Sequence, residues 1–393
     1  MANVLFLTSH LPFPPLSGGR RREYELLRRL STKHDIEICA VTRTFEFDQA
    51  HQSFVQAFAR VNLFRCSPNV DERPNLRGES FLVRRNASLR AAKFIASLLA
   101  DGGIDLIHCE GYYMRCLVDD QPVPVFVMEQ NIEYLAWPDS MDQIRAEEVG
   151  VWRSSIRCAA VTEEDAGVIR KVVGSERVFV SFNGCDHPTA LGAKEIPRVE
   201  SWPTGPIVLY IGNFAYGPSY EAGATMCTVI GPKILNRVPE ATIVLVGNES
   251  QRIVPLIQHA RCVVHGRVPS LEPYYAAATV VGFPLSRGRG ISVKVTEALA
   301  RGCAIVTTEV GQRGLADAPL VVAGDSEEFA IEVTRLLLNP EDRNKLRRRA
   351  AVYGAKLPTW DAAARRLNEC WEQAIRAGRT ISDDVLLRRE SAV

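Results

Sequence analysis

The residues best placed to do chemistry lie in Gly288-Arg289-Gly290-Ile291-Ser292-Val293-Lys294-Val295-Thr296-Glu297. Thr279 to Phe283 reads as a buried strand, and a short helix follows the glycine-rich loop until Gly302 stops it. A second strand, Ala304 to Thr308, completes a βαβ unit. A helix N-terminus that opens onto flexible backbone receives a phosphate or diphosphate through its amides and its dipole. Lys294 and Glu297 stand three residues apart, on one helix face near that start. They offer a cation for a phosphate and a carboxylate able to accept ribose hydroxyls. An exposed charged ladder of Lys294, Glu297 and Arg301 would explain the same spacing without a ligand. The rest of the chain has to decide.

The 393 residues favour two domains over one. With 46% apolar and 24% charged residues, the composition is that of an ordinary globular enzyme. A net charge of +1 gives no global reason to expect nucleic acid or a membrane as partner. The N-terminus enters Val4-Leu5-Phe6-Leu7 directly, with no signal-type apolar core, and no apolar run reaches bilayer length. Ten cysteines are scattered without Cys-x-x-Cys or zinc spacing, which predicts reduced core residues, a cytoplasmic location and no bound metal.

Strand and helix patterns alternate through the first half. Val4 to Leu7, Ile36 to Val41, Val61 to Cys66, Asp105 to His108 and Val123 to Met128 read as strands, with helices over Arg20 to Leu30 and Ser88 to Leu99. Thr8 to Gly19 reads as a loop. Thr162, with Asp165 three residues on, reads as a helix cap. Alternation restarts at Ile207 to Ile211, with a single helix expected over Ser219 to Leu235 and a last one from Trp360 to about Ala377. Continuous apolar strands with helical crossovers predict an α/β fold of two doubly wound, Rossmann-like domains and a ligand cleft between them. The expected bounds are 1–188 for an N-terminal acceptor-binding domain and 189–206 for a linker. A C-terminal donor domain takes 207–358, and a C-terminal helix and tail, packing back toward the N-domain, takes 359–393.

The order of these motifs resembles the retaining glycosyltransferases of the two-Rossmann-domain (GT-B) fold, family four, also described as glycosyl transferases group 1. Tyr210-Ile-Gly212-Asn213, Pro239-Glu-Ala241 to Gly247, His265-Gly266 and Leu271-Glu-Pro-Tyr-Tyr resemble successive elements of that family's donor domain. Gly288-x-Gly290-x-x-x-Lys294-x-x-Glu297 resembles its donor motif. Pro12 to Gly19, Asn131-Ile-Glu133, Val161 to Asp165 and Asn183-Gly184-x-Asp186 resemble its N-domain motifs. The resemblance implies that Glu297 holds the donor ribose and that amides of Gly290, Ile291 and Ser292 meet the diphosphate. Asn213 would line the donor loop, while Gly18 and Gly19 would let backbone close on the donor.

Two positions depart from the family pattern. Arg289 stands where an acid is usual, and Asn213 and Ser219 occupy the loop that usually brings Arg and Lys. Lys294 or Arg289 is then expected to neutralise the leaving diphosphate. Gln130 or Asn131 stands where a histidine commonly contacts the transferred sugar, with His108 as an alternative. Glu129 and Glu133 are candidates for orienting the acceptor or for capping loops.

The implied reaction moves a sugar from a nucleotide-diphosphate donor to a hydroxyl acceptor with retention. It uses no metal or further cofactor, and no Asp-x-Asp occurs. The donor base (UDP, GDP or dTDP) and the acceptor (saccharide, lipid-linked or natural product) stay open. A sugar-nucleotide epimerase of the same fold and a non-catalytic nucleotide-sugar-binding module are the alternatives. Arg20 to Arg22, Arg28, Arg29, Arg84 and Arg85 make parts of the first half basic. A solvated face is the simpler reading, and an anionic or lipid-linked acceptor with weak membrane-surface association is the other.

Overall fold

The computed structural model describes residues 1–67, 79–118, 122–187, 204–288, 290–315 and 317–390, with side chains to 380. Two compact units result: Met1–Asn183 with Trp360–Val393, and Gly184–Thr359. The expected linker lies largely outside the described residues, as does Arg289.

The first unit holds seven strands: β1 (Asn3–Thr8), β2 (Asp35–Thr42), β3 (Arg60–Arg65), β4 (Leu106–Glu110), β5 (Val125–Glu129), β6 (Arg157–Ala160) and β7 (Val178–Val180). Their order is β3-β2-β1-β4-β5-β6-β7, and every pairing is parallel. Chain order reverses direction between β1 and β4, where Val4 pairs with Leu106 and Phe6 with His108. Both β4 and β5 are buried at every residue, because helices cover both faces of a parallel sheet.

The second unit holds β8 (Ile207–Ile211), β9 (Thr242–Val246), β10 (Cys262–His265), β11 (Val280–Phe283), β12 (Ile305–Thr307) and β13 (Val321–Val322). The order β10-β9-β8-β11-β12-β13 is again parallel, with its reversal between β8 and β11. Ligands in open parallel sheets gather outside the strand C-termini at such reversals. The two units therefore offer two switch points.

Three local expectations are corrected. The Arg20–Leu30 helix begins earlier, at Gly18, because the Ser17 side chain accepts from Arg20 N as its cap. Gly18 and Gly19 are thus first-turn residues rather than loop. The single helix expected over Ser219 to Leu235 is broken into Gly217–Thr225, a π turn Met226–Ile230 and Gly231–Arg237. Pro232 has no amide to continue the helical ladder, and Gly231 N instead reaches back to Met226 O. A Cβ on Gly231 would stand 2.7 Å from that oxygen, so glycine admits the turn. The last helix, Trp360–Glu390, passes beyond Ala377 through Gly378, since one glycine costs a helix only about 1 kcal/mol.

Candidate functional site

In the second unit the site forms where the loops after β8 and β11 meet. The Gly217–Thr225 helix follows β8 and carries Ser219; the Val293–Ala300 helix follows β11 and carries Lys294 and Glu297. Lys294 Nζ donates to Ser219 Oγ at 2.9 Å and lies 5.5 Å from the centre of the Tyr210 ring. Tyr210 in turn donates its hydroxyl to Ser219 O at 2.7 Å. Burial pushes the Lys294 ammonium down to about 8, with the Glu297 carboxylate opposing that fall. Ser219, read from sequence as the place of a missing basic residue, is therefore the anchor of a lysine supplied by the next loop.

The exposed-ladder alternative is excluded. Glu297 is 5% exposed, and Arg301 turns away to an ion pair with Glu272, its Nε donating at 3.0 Å. The Val293–Ala300 helix has Ser292 at its N-cap with no side-chain cap bond and no acid in the first turn. Its positive end is left to other partners. Gly290 (φ 66°) brings the loop into it, and Ile291 and Ser292 are half-buried there. Asn213 has a different local role: its Oδ1 accepts from Ala215 N at 3.2 Å and from Asn248 Nδ2 at 3.0 Å, ordering its own loop.

In the first unit, the ends of β1, β4 and β5 line a cavity of about 90 Å³, with His10, Glu110, Gln130, Asn131 and Glu133 among its walls. The close approach expected of the glycine segment is real but is made to a side chain. A Cβ on Gly19 would stand 2.9 Å from Gln130 Oε1. Gln130 Nε2 donates to Glu110 Oε1 at 2.8 Å. Asn131 Nδ2 reaches Glu133 Oε1 at 3.4 Å. The fold thus brings Gly19, Gln130 and Asn131 together.

His108 is corrected from sugar contact to core residue. It is fully buried, stacks on Phe6 at 4.3 Å, and takes a hydrogen bond from Trp371 Nε1 at its Nδ1, 2.8 Å away. An Nδ1 that accepts from indole cannot carry a proton, so the ring is neutral and its Nε2–H donates to Glu110 Oε2 at 2.8 Å. Burial alone would raise the Glu110 carboxyl. Hydrogen bonds from His108 and Gln130, with the Arg22 charge nearby, hold it below the usual carboxylate range.

Glu129 is buried structure: its carboxylate accepts from Trp152 Nε1 at 2.9 Å and from Tyr112 N at 3.4 Å. Glu133 caps its own turn, accepting from Trp137 Nε1 at 3.0 Å. The basic run also finds internal partners. Arg20 pairs with Asp48 at 2.8 Å, Arg28 with Glu25 at 2.7 Å, and Arg22 donates to Ser181 Oγ at 2.8 Å and Asn183 Oδ1 at 2.9 Å. His10 and Glu110 were missed from sequence. The signal was available, since both stand at the C-terminal ends of strands beside the switch point.

Among the described residues no group of three or more His, Cys, Asp or Glu could hold a metal ion. No described helix is long and apolar enough to cross a membrane.

Comparison with known proteins adds to this geometry. A family model described as "Glycosyl transferases group 1" matches residues 205–339, which span the second switch point. A Klebsiella pneumoniae protein, described as an uncharacterized 44.6 kDa protein in the cps region, is 20% identical over 369 residues, covering 84% of this chain and 89% of that one. The structure of Anabaena Alr3699/HepE in complex with UDP and glucose is 14% identical with a TM-score of 0.64, covering 95% of this chain and 100% of that one. WaaG, a glycosyltransferase involved in lipopolysaccharide biosynthesis, is 12% identical with a TM-score of 0.64, covering 92% and 98%. The fold is therefore the α/β one expected: two parallel-sheet, Rossmann-like units of the kind GT-B glycosyltransferases have.

Proposed function

We propose that the protein is a glycosyltransferase that moves a sugar from a nucleotide-diphosphate donor to a hydroxyl acceptor, with retention of anomeric configuration. One observation carries the reading: Lys294 is held on Ser219 at the second switch point, beside an uncapped helix start. The family match over the same residues supports it. Cleavage of the anomeric carbon–oxygen bond builds negative charge on the departing diphosphate. Amides of Gly290, Ile291 and Ser292, the helix dipole and the Lys294 ammonium stabilise that charge as it grows. Glu297, on the same helix, accepts the ribose hydroxyls. A protein cation at this position does the work a bound metal would otherwise do. For retention, the acceptor attacks the face the diphosphate leaves, and a phosphate oxygen takes the acceptor's proton.

The test is incubation with UDP-, GDP- and dTDP-sugars, with and without EDTA, followed by separation of free nucleotide from rearranged sugar. Nucleotide release that survives EDTA is expected, with the donor's anomeric configuration kept in the product. Sugar interconversion without release would make the protein an epimerase, and binding without turnover would make it a binding module.

A further inference from the structure

The cavity of the first unit is walled by hydrogen-bond acceptors and carries no cation. The residues that line it include the carboxyl groups of Glu110, Glu129 and Glu133 and the amides of Gln130 and Asn131, with no Lys or Arg among them. Glu110 is kept ionised by the neutral His108, whose Nε2–H it accepts, and by Gln130. Arg22 comes within 4.0 Å of Glu110 from behind, but its guanidinium is spent on Ser181, Phe182 O and Asn183. Wall groups register the resulting negative potential. Burial, then the Glu148 charge, pushes Glu129 well above the usual carboxylate range. Burial, then Glu133, Glu129 and Glu23, raises the Tyr113 hydroxyl.

A second observation marks the cavity as incomplete. Glu23, 2% exposed, faces the wall residue His10 with its Oε1 2.8 Å from the ring Nε2. Neither atom has hydrogen-bond geometry to any partner, though both are buried. Such a wall asks for donors. At about 90 Å³ it holds two or three polar groups, the edge of one sugar ring, since a water's share of liquid is about 30 Å³.

We propose that this cavity receives the acceptor's reacting edge and selects non-anionic, hydroxyl-rich sugars, binding an amino sugar more tightly than its neutral analogue and excluding carboxylate- or phosphate-bearing edges. The inference rests on the glycosyltransferase reading for the word acceptor, not for the selectivity. It replaces the anionic acceptor suggested by the basic run, whose arginines Arg20, Arg22 and Arg28 are paired internally. Hydroxyls and ammonium donate to the carboxylates and amide oxygens. A carboxylate would face Glu110 and Glu133 at short range with nothing to offset the repulsion.

The experiment is saturation-transfer NMR on the full chain with methyl glucoside, methyl glucosaminide and methyl glucuronide. The amino glycoside should bind several-fold tighter than the neutral one, and the glucuronide about tenfold or more weaker. Glu133→Lys, at a half-buried wall position, should invert that order, and Asn131→Lys should do the same from a different residue. Thermal unfolding confirms that each variant is folded. Glucuronide binding equal to that of the neutral glycoside, or two folded lysine variants with the original order, overturns the proposal. Nucleotide release is read separately. Selective binding without release keeps the cavity assignment and removes the transferase. Release that prefers the glucuronide keeps the transferase and removes the cavity assignment.

Discussion

Lys294 and Ser219 are joined across the second switch point by a 2.9 Å hydrogen bond between Nζ and Oγ. The bond ties the helix after β11 to the helix after β8, so the ammonium is aimed by both switch-point loops. A lysine held only by its own helix would keep its rotamer freedom, worth about 2 kcal/mol.

Lys294→Met should lower kcat by about a hundredfold or more while changing donor affinity less, because leaving-group charge grows only on the way to the transition state. Methionine keeps much of the stem's packing, so the loss is electrostatic. Arg289→Met is the comparison, since that residue lies in the preceding loop. Full turnover in Lys294→Met together with loss in Arg289→Met would move the charge role to Arg289.

The same lysine sets a pH dependence. Its ammonium titrates near 8 in the folded protein, against about 10.4 in an unfolded chain. The charged form is therefore lost as pH rises, and kcat/KM should fall through an apparent pKa near 8 that Lys294→Met abolishes. Stability runs the other way. Between about 8 and 10.4 the unfolded chain binds more protons at this site, so the desolvation penalty is full below 8 and fades above it. Lys294→Met should consequently raise Tm at pH 7, by an amount that shrinks toward pH 10. A flat kcat/KM profile from pH 7 to 9 would contradict both halves of the argument.

Gly19→Ala separates activity from stability. The new Cβ would come 2.9 Å from Gln130 Oε1, the far end of a flexible side chain, so Gln130 swings and its bond to Glu110 is lost. Losing a neutral-to-charged hydrogen bond costs about 1.5–3 kcal/mol. Alanine in the first helical turn returns about 0.5–1 kcal/mol. The net change in Tm should be a few degrees at most. Misplacing a group on the cavity wall should cost about ten- to a hundredfold in kcat/KM. Unchanged kinetics would remove Gln130 from the site.

These cases show why the sheets were legible from sequence and the cavity was not. Runs such as Ile207 to Ile211 and Val125 to Met128 are apolar throughout because both faces are covered, and that pattern survives in one dimension. Lys294 and Glu297 were legible because helical spacing alone puts them on one face. Glu23, Glu110 and Gln130 come from three distant segments, joined only by the strand order β1-β4-β5, which no local pattern encodes. The Ser17 cap could have been read, since Ser three residues before Arg20 is a start signal. The π turn could not, because Gly231-Pro232 reads as a simple helix break.

Glu297 gives the cleanest test of the donor assignment. It is 5% exposed in the folded chain, on the same face as Lys294, and its carboxylate contributes the charge that partly offsets the lysine's desolvation. Glu297→Gln keeps the shape and removes that charge. Two effects should follow together. Nucleotide affinity should fall about ten- to a hundredfold, since a hydrogen bond to a charged group is worth about 1.5–3 kcal/mol. The pH at which kcat/KM declines should move below 8, because desolvation then acts on Lys294 unopposed. Calorimetry with the nucleotide and a pH–rate profile read the two effects independently. Weakened binding with an unmoved profile would leave Glu297 at the ribose but separate it from Lys294. An unchanged affinity would take it out of the donor site altogether.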